Sequence, residues 1–379
     1  MKTTYQLLAV TVLGVSSLVA CKSTSVTSEA SDSAATVKPT NPAAEEQYRL
    51  GVKYYEGQGV AVDYKRAAKH FLAAANMDHA GAQGYLAGCY LDGEGVPKNG
   101  AESIRWARRG AEQGDARALN CVGLCYDRGM GVNKDMAEAT QWFRKAADLG
   151  FAPAQNNLGL SYFNGDGVAK DVKAAVRLYE KSAEQGCSSG QCNLAWCYEN
   201  GTGVSKDLSR AVQLYRLAAE QGQADAQFNL GRCYMLGLGT VENPQEGVRW
   251  YKSAVAQGHA GAQCNLGLCY EKGVGVPKNA AEAVRLYRLA AKQGSAVAKN
   301  NLGVCYEKGF GVGRNLNEAL RWYRLAAESG YVVAMSNLGS CYEQGLGVKR
   351  DVQTAIMWYT RAANQGDMRA IQALDRLGQ

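Results

Sequence analysis

This 379-residue chain has twelve cysteines, whose thiols could pair or react, and only three histidines. Seven cysteines stand directly before a tyrosine, at multiples of 36 residues: Cys89, Cys125, Cys197, Cys233, Cys269, Cys305 and Cys341. Equivalent atoms of successive packed helices lie about 8–10 Å apart, whereas a disulfide needs Cα atoms within about 7 Å. We therefore predict that these seven are small buried hydrophobic residues.

The other cysteines offer less regular chemistry. Cys121 and Cys125 are one helical turn apart, which allows only a strained bridge. Cys187 falls at a predicted turn, so we expect it to be the exposed thiol. Eleven cysteines remain besides Cys21, so at least one stays unpaired within a monomer.

Catalytic and metal-binding patterns are scarce. The sequence contains no S-x-x-K, H-E-x-x-H or G-x-x-x-x-G-K-S/T motif. Its histidines are His70, His79 and His259, and the last two occupy equivalent positions in distant repeats. We predict no catalytic residue, no metal site and no cofactor.

A 36-residue repeat positions all of these side chains. One column runs through nine copies without an insertion: Gly51, Ala87, Gly123, Gly159, Ala195, Gly231, Gly267, Gly303 and Gly339. Within one copy, Ala262, Leu266, Gly267 and Tyr270 form a single apolar stripe at helical spacing. Such repetition is typical of a solenoid, in which each unit packs against its neighbours.

Glycine and cap residues predict where each helix ends and begins. The columns Gly57 to Gly345 and Gly59 to Gly347 have no exception, which indicates backbone with positive φ after the first helix. An Asp/Asn column stands where the second helix needs its N-cap: Asp63, Asn99, Asp135, Asp171, Asp207, Asn243, Asn279, Asn315 and Asp351. Each unit is therefore predicted to be a helix, a glycine loop and a second helix.

The pattern A-x-x-x-L-G-x-x-Y-x-x-G-x-G-V, followed by D/N-x-x-x-A-x-x-W/L-Y/F-x-x-A-A-x-x-G, resembles the Sel1-like repeat family, which is related to the tetratricopeptide repeats. The resemblance implies an all-α fold, an α-solenoid wound as a right-handed superhelix over residues 45–379. Its nine repeats would be 46–81, 82–117, 118–153, 154–189, 190–225, 226–261, 262–297, 298–333 and 334–369, with a capping helix over 370–379. The family also implies an adaptor that binds partners.

The N-terminus has the features of an export signal. Residues 1–20 combine Lys2 with a short apolar core, and the sequence Leu18-Val19-Ala20-Cys21 resembles a bacterial lipoprotein lipobox. We expect lipidation at Cys21, a flexible tether over residues 21–44, and attachment to the outer membrane, facing the periplasm or the cell surface. Signal cleavage nearby without lipidation is the alternative.

In solenoids of this family, the variable face of the first helix lines a concave groove. The candidate residues for binding a protein or peptide there are Asn193, Trp196, Phe228, Asn229, Arg232, Met235, Asn265 and Leu268. Tryptophan and arginine are enriched at interface hot spots, and Trp196 and Arg232 break the regularity of their columns. The regular asparagines suit a scaffolding role better, with each one bonding a neighbouring helix.

We therefore expect a non-enzymatic interaction scaffold of the bacterial cell envelope. One alternative is a surface-exposed virulence factor that binds a host immune protein, and another is a β-lactam-binding or cell-wall-modifying enzyme. The formal charge of +7 is small for so long a surface, and we predict no nucleic-acid partner.

Overall fold

The computed structural model describes residues 41–379, which form nineteen α-helices without a β-strand in that range. The predicted signal peptide, Cys21 and most of the predicted tether lie outside the described residues. Helix α1 begins at Pro42 behind the N-cap Asn41, so the last residues assigned to the tether are helical. The helices divide into two compact units, which meet in sequence between Gln221 and Gly222.

The N-terminal unit contains ten helices in pairs. They are α1 (Pro42–Glu56), α2 (Tyr64–Asn76), α3 (Ala80–Asp92), α4 (Gly100–Glu112), α5 (Ala116–Arg128), α6 (Met136–Asp148), α7 (Ala152–Asn164), α8 (Val172–Glu184), α9 (Ser188–Asn200) and α10 (Leu208–Glu220). Odd-numbered helices are the first helices of the repeats, and even-numbered ones are the second helices.

The C-terminal unit contains nine helices. They are α11 (Ala224–Leu236), α12 (Pro244–Ala256), α13 (Ala260–Lys272), α14 (Ala280–Lys292), α15 (Ala296–Lys308), α16 (Leu316–Glu328), α17 (Val332–Gln344), α18 (Val352–Ala363) and α19 (Met368–Arg376). Within each unit, a first helix packs against its own second helix, and the second helix packs against the next first helix. This arrangement is an all-α solenoid, as predicted.

Side-chain caps set the start of the second helices. All nine predicted Asp/Asn residues are N-caps: Asp171 Oδ1 accepts from Ala174 N at 2.9 Å, and Asn279 Oδ1 accepts from Glu282 N at 3.0 Å. From the second repeat onward, the first helices begin two residues earlier than the predicted repeat boundaries, as at Ala80 and Ala260. The final helix begins at Met368 rather than at residue 370.

Glycines end the first helices as predicted. Gly129 caps α5 with φ of 65°, and Gly131 follows with φ of 72°. A side chain on Gly131 would also collide with the backbone oxygen of Gly100 in the preceding second helix. This second glycine therefore serves both the turn and the close approach of successive repeats.

Close contact between the two helices of a repeat depends on the Gly51 column. A Cβ on Gly303 would lie 2.5 Å from the ring of Tyr323, and a Cβ on Gly267 would lie 2.7 Å from Tyr287. These tyrosines are fully buried, yet their hydroxyls are paired: Tyr287 Oη donates to Glu271 Oε2 at 2.8 Å. The small residue thus makes room for the ring that forms the core of each repeat.

The cysteine column is buried as predicted, with side chains between 0% and 3% exposed. The prediction for Cys187 was wrong, because this residue is only 1% exposed. It occupies the N-cap position of α9. At the same position, His79 stacks on Tyr48 of α1 with ring centres 4.3 Å apart. Side chains at this position therefore pack toward the previous first helix, although the backbone there forms a turn.

Candidate protein-binding surface

A ladder of amide side chains links neighbouring first helices. Asn157 Nδ2 donates to Asn120 Oδ1 at 2.9 Å, and Asn193 Nδ2 donates to Asn156 Oδ1 at 2.8 Å. Asn337 and Asn300 repeat the same bond in the C-terminal unit at 2.8 Å. Donor and acceptor are 37 residues apart each time, so each bond joins the first helices of two successive repeats. The asparagine column therefore has the scaffolding role that its regularity favoured.

In the N-terminal unit, the predicted residues Asn193 and Trp196 are partly exposed on α9. The ring of Trp196 meets Phe163 edge to face, with ring centres 5.5 Å apart. Packing against Phe163 orients the indole while part of it stays open to solvent. Trp196 therefore has the accessibility that a binding residue requires, whereas the Asn193 amide is engaged in the ladder.

In the C-terminal unit, the structure buries several predicted binding residues. Phe228 is 4% exposed and Met235 is 1% exposed, so their expected placement on the groove surface was wrong. Phe228 packs against Tyr251 of α12 and stacks on His259, which caps α13. Met235 fills the space beside Gly247, which has no side chain. A first helix covered by its own second helix and by the next repeat leaves little of its surface free.

Of the remaining predicted binding residues in this unit, two are buried and two are partly exposed. Arg232 is 8% exposed and Asn265 is 3% exposed, so neither is accessible as expected. Asn265 Nδ2 lies 3.3 Å from Tyr251 Oη, because the ladder position that would accept its bond is occupied by Phe228. Asn229 and Leu268 are partly exposed.

The N-terminal unit also contains a cleft that sequence reasoning missed. It holds about 660 Å³ of empty space, part of it open to solvent. Its walls come mainly from α3, α5 and α7, and we call it the Arg117 cleft. Five of its lining residues matter most for what it can bind: Tyr85, Gly88, Arg117, Asn120 and Phe151.

Two aromatic rings hold the arginine of this cleft. The guanidinium carbon of Arg117 lies 3.8 Å from the ring centre of Tyr85 and 5.4 Å from that of Phe151. Arg117 is the second residue of α5, and Asp115 Oδ1 fixes the start of this helix by accepting from Ala118 N at 2.7 Å. Tyr85 lies in α3, Arg117 lies in α5 and Phe151 is the N-cap residue of α7, so only the stacking of these first helices brings the three together.

Two glycines of α3 shape the cleft. A side chain on Gly84 would collide with the Asp115 carboxylate and approach Ala118 N, so this glycine allows the start of α5 to lie close to α3. A Cβ on Gly88 would meet nothing within 4 Å. The equivalent residues in other repeats include Leu124, Leu160 and Leu268, so Gly88 removes a side chain that would otherwise occupy this space.

The electrostatics of the cleft keep Arg117 charged. Burial lowers the pKa of its guanidinium, but Tyr85, Asp115 and Tyr55 outweigh burial and raise that pKa overall. No hydrogen bond or ion pair to the guanidinium is found among residues 41–379. Asp92 pairs with Arg128 at 2.8 Å.

The sequence did contain a signal for the cleft, in the exceptions to its columns. Tyr85 and Cys121 replace the asparagine that occupies the next six repeats, and Gly88 replaces a larger side chain. Among the nine repeats, Arg117 is the only cation in its column, where others have Gly81, Pro153 or Ser189, and the capping helix has Arg369 at the equivalent position.

A serine motif also escaped the sequence search. Residues 186–190 read G-C-S-S-G, which matches the G-x-S-x-G spacing of serine hydrolases. In those enzymes the serine follows a strand, whereas Ser188 begins α9 after a turn and is 7% exposed. A catalytic serine of this kind needs a histidine as its general base. The three histidines have other partners, since His70 contacts Gln47, His79 contacts Glu45 and His259 contacts Asp225. The arrangement does not form a nucleophile elbow.

Within residues 41–379, no three His, Cys, Asp or Glu residues are grouped so that they could hold a metal ion. None of the helices there is long and apolar enough to cross a membrane.

Comparison with known families identifies the repeat. A family model for the Sel1 repeat matches residues 47–79, 80–115, 116–151, 152–187, 188–223, 224–259, 260–295, 296–331 and 332–367. A Sel1 repeat protein from Oxalobacter formigenes is 34% identical, with a TM-score of 0.59, over 64% of this chain and 96% of that one. The protein c5321, a protective antigen of uropathogenic Escherichia coli, is 33% identical, with a TM-score of 0.48, over 87% of this chain and 78% of that one. A search of curated proteins finds no significant match.

Proposed function

Because this chain belongs to the Sel1 repeat family, whose members generally bind protein partners and are generally not enzymes, we propose that it is a protein-binding scaffold of the bacterial cell envelope. The binding surface is formed by the exposed faces of the first helices in the N-terminal unit. Catalytic residues have no part in this function.

One observation carries the proposal. The N-terminal unit departs from its own repeat pattern where its first helices are accessible, at the Arg117 cleft and at Trp196. Residues that only maintain the stack recur in every repeat, because every repeat needs the same contacts. An accessible aromatic residue or arginine outside that pattern has no such duty, and both residue types are enriched at interface hot spots.

Site-specific photo-crosslinking in living cells tests this surface. We expect p-benzoylphenylalanine at Trp196 to give a discrete crosslinked protein band. Leu217 on the second helix α10 is 49% exposed and provides the matched control position, where we expect no such band. Equal products at both positions, or none at Trp196, would contradict the proposed surface.

The envelope location depends on the N-terminal sequence. We infer that Cys21 carries the lipid anchor and that residues following it tether the scaffold to the outer membrane. Changing Cys21 to Ser should move the protein from the membrane fraction to the soluble fraction. Persistent membrane association of this variant would refute the anchor.

Protease shaving of intact cells then assigns the side of the membrane. Loss of the protein from intact cells would place its partner outside, among host proteins. Protection until the outer membrane is permeabilised would place the partner in the periplasm.

A further inference from the structure

We propose that the Arg117 cleft binds the carboxylate group of an extended peptide segment of the partner. This inference rests on the proposed function, because it names the chemistry that the scaffold recognises. The carboxylate comes from an Asp or Glu side chain or from the C-terminus of the chain, and the closing experiment separates these two sources.

The first argument is the state of the arginine. The guanidinium lies over the rings of both Tyr85 and Phe151, which restrict its position before any ligand arrives. Stacking uses the face of the guanidinium and leaves its N–H groups at the edge available for hydrogen bonds. A planar guanidinium with free edge donors matches a carboxylate, which can accept two parallel bonds from it.

The second argument is the balance of charge. Asp92 is paired with Arg128, and the carboxylate of Asp115 accepts a helix N–H from Ala118. Arg117 thus remains the cation that an incoming anion meets. One cation near two aspartates suits a ligand with a single negative charge better than a phosphate dianion.

The third argument is the shape and polarity of the walls. Gly88 leaves open space where other repeats have leucine, and the rings of Tyr85 and Phe151 provide an apolar border. Asn120 accepts one ladder bond at its Oδ1, while its NH₂ group donates to no residue in the described part of the chain. An asparagine amide with an unused donor can bind the carbonyl of a peptide backbone.

Selection from a displayed library of random 12-residue peptides with free C-termini, using the purified protein, tests the proposal. Enriched peptides should carry an acidic residue or depend on their C-terminal carboxylate. For a representative synthetic peptide, changing Glu to Gln, or amidating the C-terminus, should weaken binding at least 10-fold by isothermal titration calorimetry. Whichever of the two changes has this effect identifies the source of the carboxylate.

Variants of the protein connect that effect to the cleft. R117Q and G88L should each weaken binding at least 10-fold, and R117K should weaken it less than R117Q because the charge remains. Arg249→Gln removes the same charge from an exposed side chain on α12, and we expect it to bind like the wild type. In the R117Q background, neutralising the peptide carboxylate should cause no further loss.

Three outcomes would overturn the inference. In the first, the enriched peptides bind R117Q and G88L as tightly as they bind the wild type. In the second, neutralising the peptide carboxylate does not weaken binding to the wild type. In the third, neutralising it weakens binding to R117Q as much as it weakens binding to the wild type. In these cases peptide binding itself would stand, so the proposed function would survive. Failure to enrich any peptide would overturn the inference about the cleft, whereas the proposed protein-binding function would still be judged by the crosslinking at Trp196.

Discussion

Gly303 and Gly88 are both glycines within first helices, but the structure requires them for opposite reasons. A Cβ on Gly303 would collide with the buried ring of Tyr323, whereas a Cβ on Gly88 would enter open space. The first belongs to a column that recurs in nearly every repeat, and the second stands in a column of larger residues. Regular residues here maintain contacts between helices, and an irregular residue such as Gly88, which leaves open space, is available for another role.

Substituting both glycines by leucine tests this distinction. Gly303→Leu should lower the free energy of unfolding by about 1–3 kcal/mol, because it overpacks the core of its repeat. Gly88→Leu should leave it unchanged or raise it by up to about 1 kcal/mol, because leucine favours the helix more than glycine does. Urea unfolding followed by circular dichroism measures both. A destabilised Gly88→Leu would show that the open space at this position is not available to a side chain.

The buried thiols make a second prediction at the residue scale. Burial raises the pKa of Cys197 and of Cys305 to about 12 each, so neither forms the reactive thiolate near neutral pH. We expect iodoacetamide at pH 8 to leave the cysteine column unmodified in the folded protein and to modify it fully in guanidinium chloride. Leu149→Cys, at a position that is 59% exposed, provides a thiol that reacts at once. Rapid labelling of the native column, read by mass spectrometry, would contradict the packing.

At the scale of helices, the two helices of a repeat begin differently. Second helices all use an Asp or Asn cap, whereas the first helices α7, α9 and α17 have no side-chain cap bond. Their cap positions hold Phe151 and Tyr331, which pack against hydrophobic core clusters, and Cys187, which is buried. The other first helices do have a side-chain cap bond, so only these three replace the cap hydrogen bond by packing of the cap residue.

Replacing one cap should therefore have a local and predictable cost. Asp171→Ala should lower the free energy of unfolding by about 1 kcal/mol, because Ala174 N loses its acceptor. Asp171→Asn should cost only a few tenths, since asparagine caps equally well in other repeats. Differential urea unfolding of the two variants measures the gap, and equal stability of Ala and Asn variants would be inconsistent with capping by the side chain.

At the scale of the whole molecule, a solenoid must cover the end of its stack. Helix α19 does this for α18, with Ala370 fully buried and Leu374 and Leu377 packed against the core of the last repeat. Arg376 Nη2 also donates to both carboxylate oxygens of Glu343, at 2.7 and 2.8 Å. The opposite face of α19 carries exposed polar residues such as Gln372 and Asp375. A helix with one apolar face and one polar face closes the core and presents water-compatible groups beyond it.

Removing residues 367–379 should expose the apolar side of the last repeat. We expect a loss of about 2–4 kcal/mol in stability, a lower midpoint of thermal unfolding and stronger binding of an apolar dye. Met368→Ala, at a side chain that is 62% exposed, should change none of these. A truncated protein that melts and binds dye like the full chain would show that α19 does not protect the stack.

The sequence by itself determined the repeat unit, its helix caps, its glycine turns and the buried cysteine column. The residues that make these contacts occupy the same position in successive repeats, so a single sequence shows each of them up to nine times. From the second repeat onward, each first helix begins two residues before the predicted repeat boundary, directly after its N-cap residue.

Only the tertiary structure decided which irregular residues meet and which are exposed. Tyr85 lies in α3, Arg117 lies in α5 and Phe151 caps α7, so their stacking depends on how closely these three helices approach one another. The same packing buried Phe228 and Met235, which sequence reasoning had assigned to the surface. The spacing of apolar residues within a helix predicts which face of that helix is buried in its own repeat. How much of the remaining surface is covered by neighbouring helices depends on the packing of the whole stack, and no single position in the sequence reveals it.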